Sequence, residues 1–124
     1  MNTFQIKPTG SDTKPTGPWA TLAGARDALR KLRADSQLSG PATVLVHPGR
    51  YALREPVAFG PHDGHTTYAA APGRGEALFD GGRVLTGWAE TTHAGRRAWT
   101  LDLPEVATGH LYFRSLFVAG QRRC

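Results

Sequence analysis

Six carboxylates are the first residues in this sequence that could carry catalytic chemistry: Asp63, Glu76, Asp80, Glu90, Asp102 and Glu105. Hydrolysis of a glycosidic bond needs two carboxylates that face one bond, roughly 5 to 9.5 Å apart. All six lie in or beside turn sequences and show no paired spacing. Asp80, before Gly81 and Gly82, suits an aspartate that accepts backbone hydrogen bonds in a turn. We therefore predict no catalytic residue in this chain.

Histidines and cysteine give a second possible chemistry, metal binding. His62, Asp63 and His65 form a loose cluster, but a metal site needs three or four converging ligands and the other histidines are distant in sequence. The single cysteine, Cys124, excludes an internal disulfide and a cysteine-based metal site. Residues 73–75 (GRG) lack the strand and helix that a phosphate-binding loop requires. We predict no metal and no cofactor.

Aromatic and basic side chains could bind sugars. Flat apolar rings match the face of a pyranose, and the candidates are Trp88, Trp99, Tyr112 and Phe113. Packing in a core or at a sheet edge explains them without a sugar, and we prefer that interpretation. Guanidinium groups could bind uronate carboxylates, and the candidates are Arg50, Arg54 and Arg74. Exposure to solvent at turns is the simpler explanation for these three.

Composition predicts a small soluble domain with many turns. The chain has 124 residues, 40% of them hydrophobic, with 15 glycines and 9 prolines, so we expect one domain with few long elements. No run approaches the ~18 apolar residues that a membrane helix needs, which predicts no membrane partner. Residues 1–10 have neither the basic start nor the apolar middle of a signal peptide. The compartment stays open.

The net charge of +5 comes mainly from arginine, with twelve Arg against three Lys. A basic chain can bind anionic partners such as nucleic acid. Here the arginines are spread along the sequence, and only residues 96–97 and 122–123 are adjacent. No interleaving of aromatic and basic residues and no helix-turn-helix pattern is visible. We predict no nucleic-acid partner.

The elements that must position these side chains begin with a strand and loop over residues 1–18, followed by a helix over 19–35. Thr21 is a suitable N-cap. The predicted apolar stripe has three- and four-residue spacing and consists of Leu22, Ala25, Ala28 (or Leu29) and Leu32. Such a helix must bury its stripe against another element.

From residue 43 onward the sequence consists of short extended segments separated by Gly, Pro and Asp turns. In the stretch 43–59 (TVLVHPGRYALREPVAF), the first apolar run is too short for a helix and ends at Pro48-Gly49. Segments of this length fit a sandwich, a barrel or a coiled parallel solenoid. The helix before the first segment favours the solenoid, because a solenoid needs a cap with one apolar face over its terminal coil.

An ordered series of motifs resembles a known family. The series is 10–12 (GSD), 18–22 (PWATL), 25–30 (ARDALR), 44–51 (VLVHPGRY), 67–73 (TYAAAPG), 81–88 (GGRVLTGW) and 116–122 (LFVAGQR). Together these motifs are similar to the N-terminal region of right-handed parallel β-helix proteins of the pectate-lyase-like superfamily. Within that superfamily, the likeness is to large bacterial proteins related to glycoside hydrolases. Ala119 departs from the pattern, since relatives often have Asn there.

The resemblance implies a mainly β fold: the start of a right-handed parallel β-helix with an N-terminal amphipathic capping helix. It implies one segment over residues 1–124, truncated at its C-terminus, with the first coils in 43–124. The acidic residues that cleave sugars would lie on later coils, so this chain alone is expected to be inactive.

The function implied is the cap and first coils of a carbohydrate-active protein, a glycoside hydrolase or a polysaccharide lyase at full length. The expected partners are polysaccharide, bound through the full-length protein, and a second copy bound through the open coil end. Relatives are often secreted. The alternative is a self-contained, non-catalytic module that binds a glycan or another chain.

Overall fold

The computed structural model describes residues 2–123. The chain divides into two compact units, Met1–Arg83 (unit 1) and Val84–Cys124 (unit 2). The strands of unit 1 are β1 (Asn2–Ile6), β2 (Ala42–Val46), β3 (Gly49–Ala52), β4 (Thr66–Ala70) and β5 (Ala77–Asp80). Unit 1 also contains helix α1 (Leu22–Ala34) and a 3₁₀ turn (Pro61–Asp63). The elements of unit 2 are β6 (Ala89–His93), β7 (Arg96–Thr100), α2 (Pro104–Ala107), β8 (Leu116–Val118) and β9 (Gln121–Arg123).

Unit 1 is built on two parallel sheets. One has the strand order β1-β2-β4, with Phe4 beside Val44 and Val44 beside Tyr68. The other pairs β3 with β5, with Tyr51 beside Phe79. In β2 every second residue is buried, as expected for a strand with one face on a core. The first apolar run of the stretch 43–59, predicted as a short extended segment, is therefore present as β2, which begins at Ala42.

The core of the described residues lies entirely within unit 1. Its buried hydrophobic residues are Ile6, Trp19, Ala25, Leu29, Leu32, Leu38, Ala42, Val44, Val46 and Tyr51. The helix contributes Ala25, Leu29 and Leu32, which are spaced to lie on one face. This spacing confirms the predicted apolar stripe and resolves its open position in favour of Leu29.

Two oxygen-bearing side chains fix the start of α1. The Thr21 hydroxyl accepts a hydrogen bond from the Gly24 amide (2.9 Å), which confirms Thr21 as the N-cap. The Asp12 carboxylate accepts from the Ala20 and Thr21 amides (2.8 and 3.0 Å) and from the Thr21 hydroxyl (2.6 Å). A Cβ at Gly24 would lie 2.2 Å from the Asp12 Cγ. Asp12 thus ties the 9–18 loop to the helix.

Unit 2 contains two antiparallel hairpins, β6–β7 and β8–β9. Each has a two-residue turn in which both residues have positive φ: Ala94 and Gly95 (49° and 73°) in the first, Ala119 and Gly120 (50° and 75°) in the second. Positive φ at both positions is the type I′ geometry that matches the twist of paired antiparallel strands. The segments on either side of Ala94 and Gly95 are therefore paired strands, and the connection between them is two residues long.

The predicted parallel β-helix is wrong. The described residues form four separate sheets of two or three strands, parallel in unit 1 and antiparallel in unit 2, and they do not close into a solenoid. The physical reason lies in the Ala-Gly turns of unit 2, which reverse the chain direction where a coil would continue. The helix is amphipathic as predicted, but it packs on the core of unit 1 and does not cap a solenoid.

Candidate functional site

Asp63, one of the six candidate carboxylates, is held by an arginine of α1. Arg30 donates from Nε to Oδ1 (2.7 Å) and from Nη2 to Oδ2 (2.6 Å), and the Gly60 amide donates to Oδ2 (2.7 Å). The hydrogen bonds from Arg30, more than any other contact, lower the pKa of Asp63 from 3.8 to about 2, although burial opposes the shift. A carboxylate bound on both oxygens in this way joins the 3₁₀ turn to α1.

Asp80 occupies the end of β5 and has a similar structural role. Its Oδ1 accepts from the Gly82 amide (2.8 Å), and its Oδ2 pairs with Arg50 of the neighbouring strand β3. The Gly82 amide, followed by Arg50, lowers the pKa of Asp80. Acceptance of a backbone hydrogen bond in a turn confirms the role predicted for this residue. Arg50, a candidate for binding uronates, is engaged by this aspartate.

Glu90 lies on the β6–β7 hairpin and faces Trp99 directly across the two strands. Arg97 forms an ion pair with Glu90: its Nη2 donates a hydrogen bond to Oε2 (3.1 Å), and its Nε lies 2.7 Å from Oε1. The Arg97 guanidinium carbon also lies 5.7 Å from the centroid of the Trp99 ring. Because directly paired strand residues share a face, Glu90, Thr92, Arg97 and Trp99 form one surface, which we call the Trp99 platform.

Three candidate carboxylates remain: Glu76, Asp102 and Glu105. Glu76 and Asp102 are exposed. The backbone carbonyl of Glu105 accepts from the amides of His110 and Leu111 at the end of α2. Within residues 2–123, no group of three or more His, Cys, Asp or Glu is placed to hold a metal ion. The absence of catalytic residues stays a prediction.

The four candidate aromatics are at the surface rather than in a core. Their exposed fractions are 40% for Trp88, 58% for Trp99, 79% for Tyr112 and 50% for Phe113. Their exposure excludes the core-packing part of the interpretation preferred from the sequence, whereas Trp99 does lie at a sheet edge, on β7 of a two-stranded sheet. Trp88 donates its indole N–H to the Leu85 carbonyl (3.2 Å), and Arg114 lies over the Tyr112 ring (5.8 Å).

Arg54 and Arg74, the other two arginines considered for uronates, are exposed as predicted. A groove of about 520 Å³ runs beside α1 and is lined in part by Asp12, Lys14 and Lys31. Asp12 in this groove already binds the helix start. No helix in the described part of the chain is both long and apolar enough to cross a membrane.

Sequence reasoning missed the Trp99 platform because it treated Trp99, Glu90 and Arg97 separately. The signal was the Ala94-Gly95 pair with matching segments on either side. Once that pair is taken as a two-residue turn, Glu90 must face Trp99 and Thr92 must face Arg97.

Comparison with known proteins gives one informative likeness. No protein-family model matches the chain, and no curated protein matches it. A solved structure named "Glycoside hydrolase" is similar over 98% of this chain, with 27% sequence identity and a TM-score of 0.66. This chain is therefore similar to part of a glycoside hydrolase over nearly its whole length. It spans 21% of the length of that glycoside hydrolase. The likeness supports the broader resemblance and gives no support to a place in the pectate-lyase-like superfamily.

Proposed function

We propose that this chain is a non-catalytic, carbohydrate-binding segment of a protein related to glycoside hydrolases. The observation that carries the proposal is the similarity of 98% of the chain to 21% of a glycoside hydrolase. The chemistry of the candidate residues fits a segment that contributes to sugar binding. Bond cleavage would then depend on other parts of such a protein. Asp63, Asp80 and Glu90 each pair with an arginine, so their charges are already compensated.

Affinity electrophoresis tests this proposal. The 124-residue chain is run through gels that contain a neutral β-glucan, a xylan, a mannan or polygalacturonate, and the same mixtures are assayed for new reducing ends and for unsaturated products. We expect retardation by at least one polysaccharide and no release of either product. Migration at the control rate in all four gels would contradict carbohydrate binding, and product release would contradict the non-catalytic role.

The second candidate, favoured by the strand edges of unit 1, is association with a second copy. Strands β4 and β5 are each the last strand of their sheet, and Leu78 of β5 is 52% exposed. Unpaired edges with apolar side chains favour strand addition. Sedimentation velocity over a range of concentrations should show a dimer that Leu78→Lys weakens. A monomer at every concentration would exclude this candidate.

A further inference from the structure

The aromatic residues of unit 2 lie at exposed positions, where they contribute little to the stability of the fold. None of the described residues 84–123 is buried. Its exposed large hydrophobic residues are Val84, Trp88, Trp99, Val106, Tyr112, Phe113, Phe117 and Val118. Exposed aromatic side chains are enriched at recognition surfaces, where one part of the ring is apolar and another part can meet polar groups.

The Trp99 platform differs from the other exposed aromatics because hydrogen-bonding groups are fixed in register around the ring. Trp99 is on β7, Glu90 faces it from β6, and Arg97 contacts both. The hydrogen bond to Glu90 uses one of the five N–H donors of the guanidinium, so donors remain for a ligand, and the carboxylate keeps further acceptor capacity. The platform therefore offers an apolar ring that is 58% exposed, with the guanidinium of Arg97 over it and the carboxylate of Glu90 beside it.

We propose that the Trp99 platform binds a pyranose unit of a neutral polysaccharide, an inference that rests on the proposed function and assigns it a site. The C–H face of a pyranose is flat and apolar and matches the indole ring. Its hydroxyl groups both donate and accept, so they match the carboxylate of Glu90 and the free N–H groups of Arg97. The hydroxyl of Thr92, opposite Arg97, extends the polar border.

Charge selects a neutral sugar over an anionic ligand. The carboxylate of Glu90 compensates the charge of Arg97, so the platform carries no net charge. A uronate or a phosphate on the Trp99 ring would approach Glu90, which repels it. Arg96, the other arginine of the hairpin, lies opposite His93 in the strand register. Because side chains alternate along a strand, both residues lie on the face opposite the Trp99 platform.

Calorimetric titration of the full chain tests the site. The probes are neutral hexasaccharides of β-1,4-linked glucose, xylose and mannose, with an oligogalacturonate and a single-stranded oligothymidylate as anionic arms. We expect one or more neutral hexasaccharides to bind, with an affinity that salt changes little, and Trp99→Ala to weaken that binding about tenfold or more. Glu90→Gln keeps an acceptor and should weaken it less.

Phe117→Ala is the matched control, because Phe117 is an exposed aromatic of unit 2 outside the β6–β7 hairpin. It should leave the affinity unchanged. Because Trp99 is more than half exposed, its variant is expected to fold, which far-ultraviolet circular dichroism checks. If the variant is misfolded, the unsubstituted chain is titrated with the hexasaccharide, and the NMR resonance of the Trp99 indole N–H is followed. A resonance that does not shift at saturation overturns the inference.

The outcomes separate this inference from the proposed function. Binding of a polysaccharide that Trp99→Ala does not weaken overturns the site and leaves the carbohydrate-binding function standing. Binding only to oligogalacturonate overturns the preference for neutral sugars in the same way. Binding only to the oligothymidylate, with steep dependence on salt, or binding to no probe and to no gel polysaccharide, overturns both.

Discussion

Replacement of Leu29 tests whether packing of α1 holds unit 1 together. Leu29 is 2% exposed, so Leu29→Ala removes almost wholly buried atoms. Burial of a leucine contributes about 1.5–3 kcal/mol, and the cavity left behind raises the cost of Leu→Ala to about 2–5 kcal/mol. For a unit of this size, 1 kcal/mol corresponds to about 4–8 °C in Tm. We therefore expect Tm to fall by roughly 10 °C or more.

Thermal unfolding followed by near-ultraviolet circular dichroism is the appropriate assay, because the buried Trp19 ring stacks on Phe4 (5.3 Å between centroids) and reports tertiary packing of unit 1. Leu29→Asp should cost more than Leu29→Ala, since it places an unpaired charge in the core. Lys31→Ala, at an exposed position of the same helix, should change stability by less than about 0.5 kcal/mol. Unchanged melting of both Leu29 variants would refute the packing.

Three further predictions follow from single contacts. Because Arg30 lowers the pKa of Asp63 to about 2, the ionised carboxylate stabilises unit 1 above pH 3.8, and this stability is lost as pH falls from about 4 through 2; acid unfolding compared with Asp63→Asn measures it. Gly24→Ala should destabilise α1 despite the higher helix propensity of alanine, because the new Cβ meets the Asp12 carboxylate; denaturant titration measures it. Ala94→Gly should stabilise the β6–β7 hairpin by up to ~1 kcal/mol, since φ is positive there; amide exchange of Ala98 measures it.

Each of these has a contrary outcome. A stability difference between the parent chain and Asp63→Asn that stays constant from pH 4 to 2 would mean that Asp63 titrates normally. For Gly24→Ala, the loss should shrink in an Asp12→Ala background, and an equal loss in both backgrounds would rule out the contact with Asp12. Ala98→Gly, within strand β7, is the control for Ala94 and should weaken the hairpin. Equal effects at the two alanines would exclude turn strain as the cause.

Local features of unit 1 could be predicted because they follow from nearby residues. The helix, its N-cap at Thr21 and its buried face come from spacing within about one helical turn. The ion pair between Arg30 and Asp63 could not be predicted in this way, since 33 positions separate its partners. Only the docking of the 3₁₀ turn against α1 brings them together.

The error about the solenoid has a physical origin in turn chemistry. Short β segments separated by turns fit parallel coils and antiparallel hairpins equally well, and the turns alone distinguish them. In both hairpins of unit 2, alanine occupies a position with positive φ that Asn, Asp or Gly usually fills. The usual Asn-Gly or Asp-Gly pair of a type I′ turn was therefore absent, and the glycine after Ala94 and after Ala119 was the weaker signal that remained. Because the turns were not recognised, the strand register could not be assigned, and the exposed positions of the aromatic residues could not be predicted.

The surface chemistry of unit 2 connects its weak packing to its proposed ligand. Two-stranded hairpins are marginally stable in water by themselves, and the described part of unit 2 buries no side chain that would add to their stability. A ligand at 100 times its Kd stabilises the state it binds by about 2.7 kcal/mol, which is large beside the stability of one hairpin. Stacking on Trp99 requires β6 and β7 to be paired, because only then do Glu90 and Arg97 border the ring. Sugar binding would therefore stabilise the paired state of β6 and β7. The ligand can do this because the Trp99 ring is exposed.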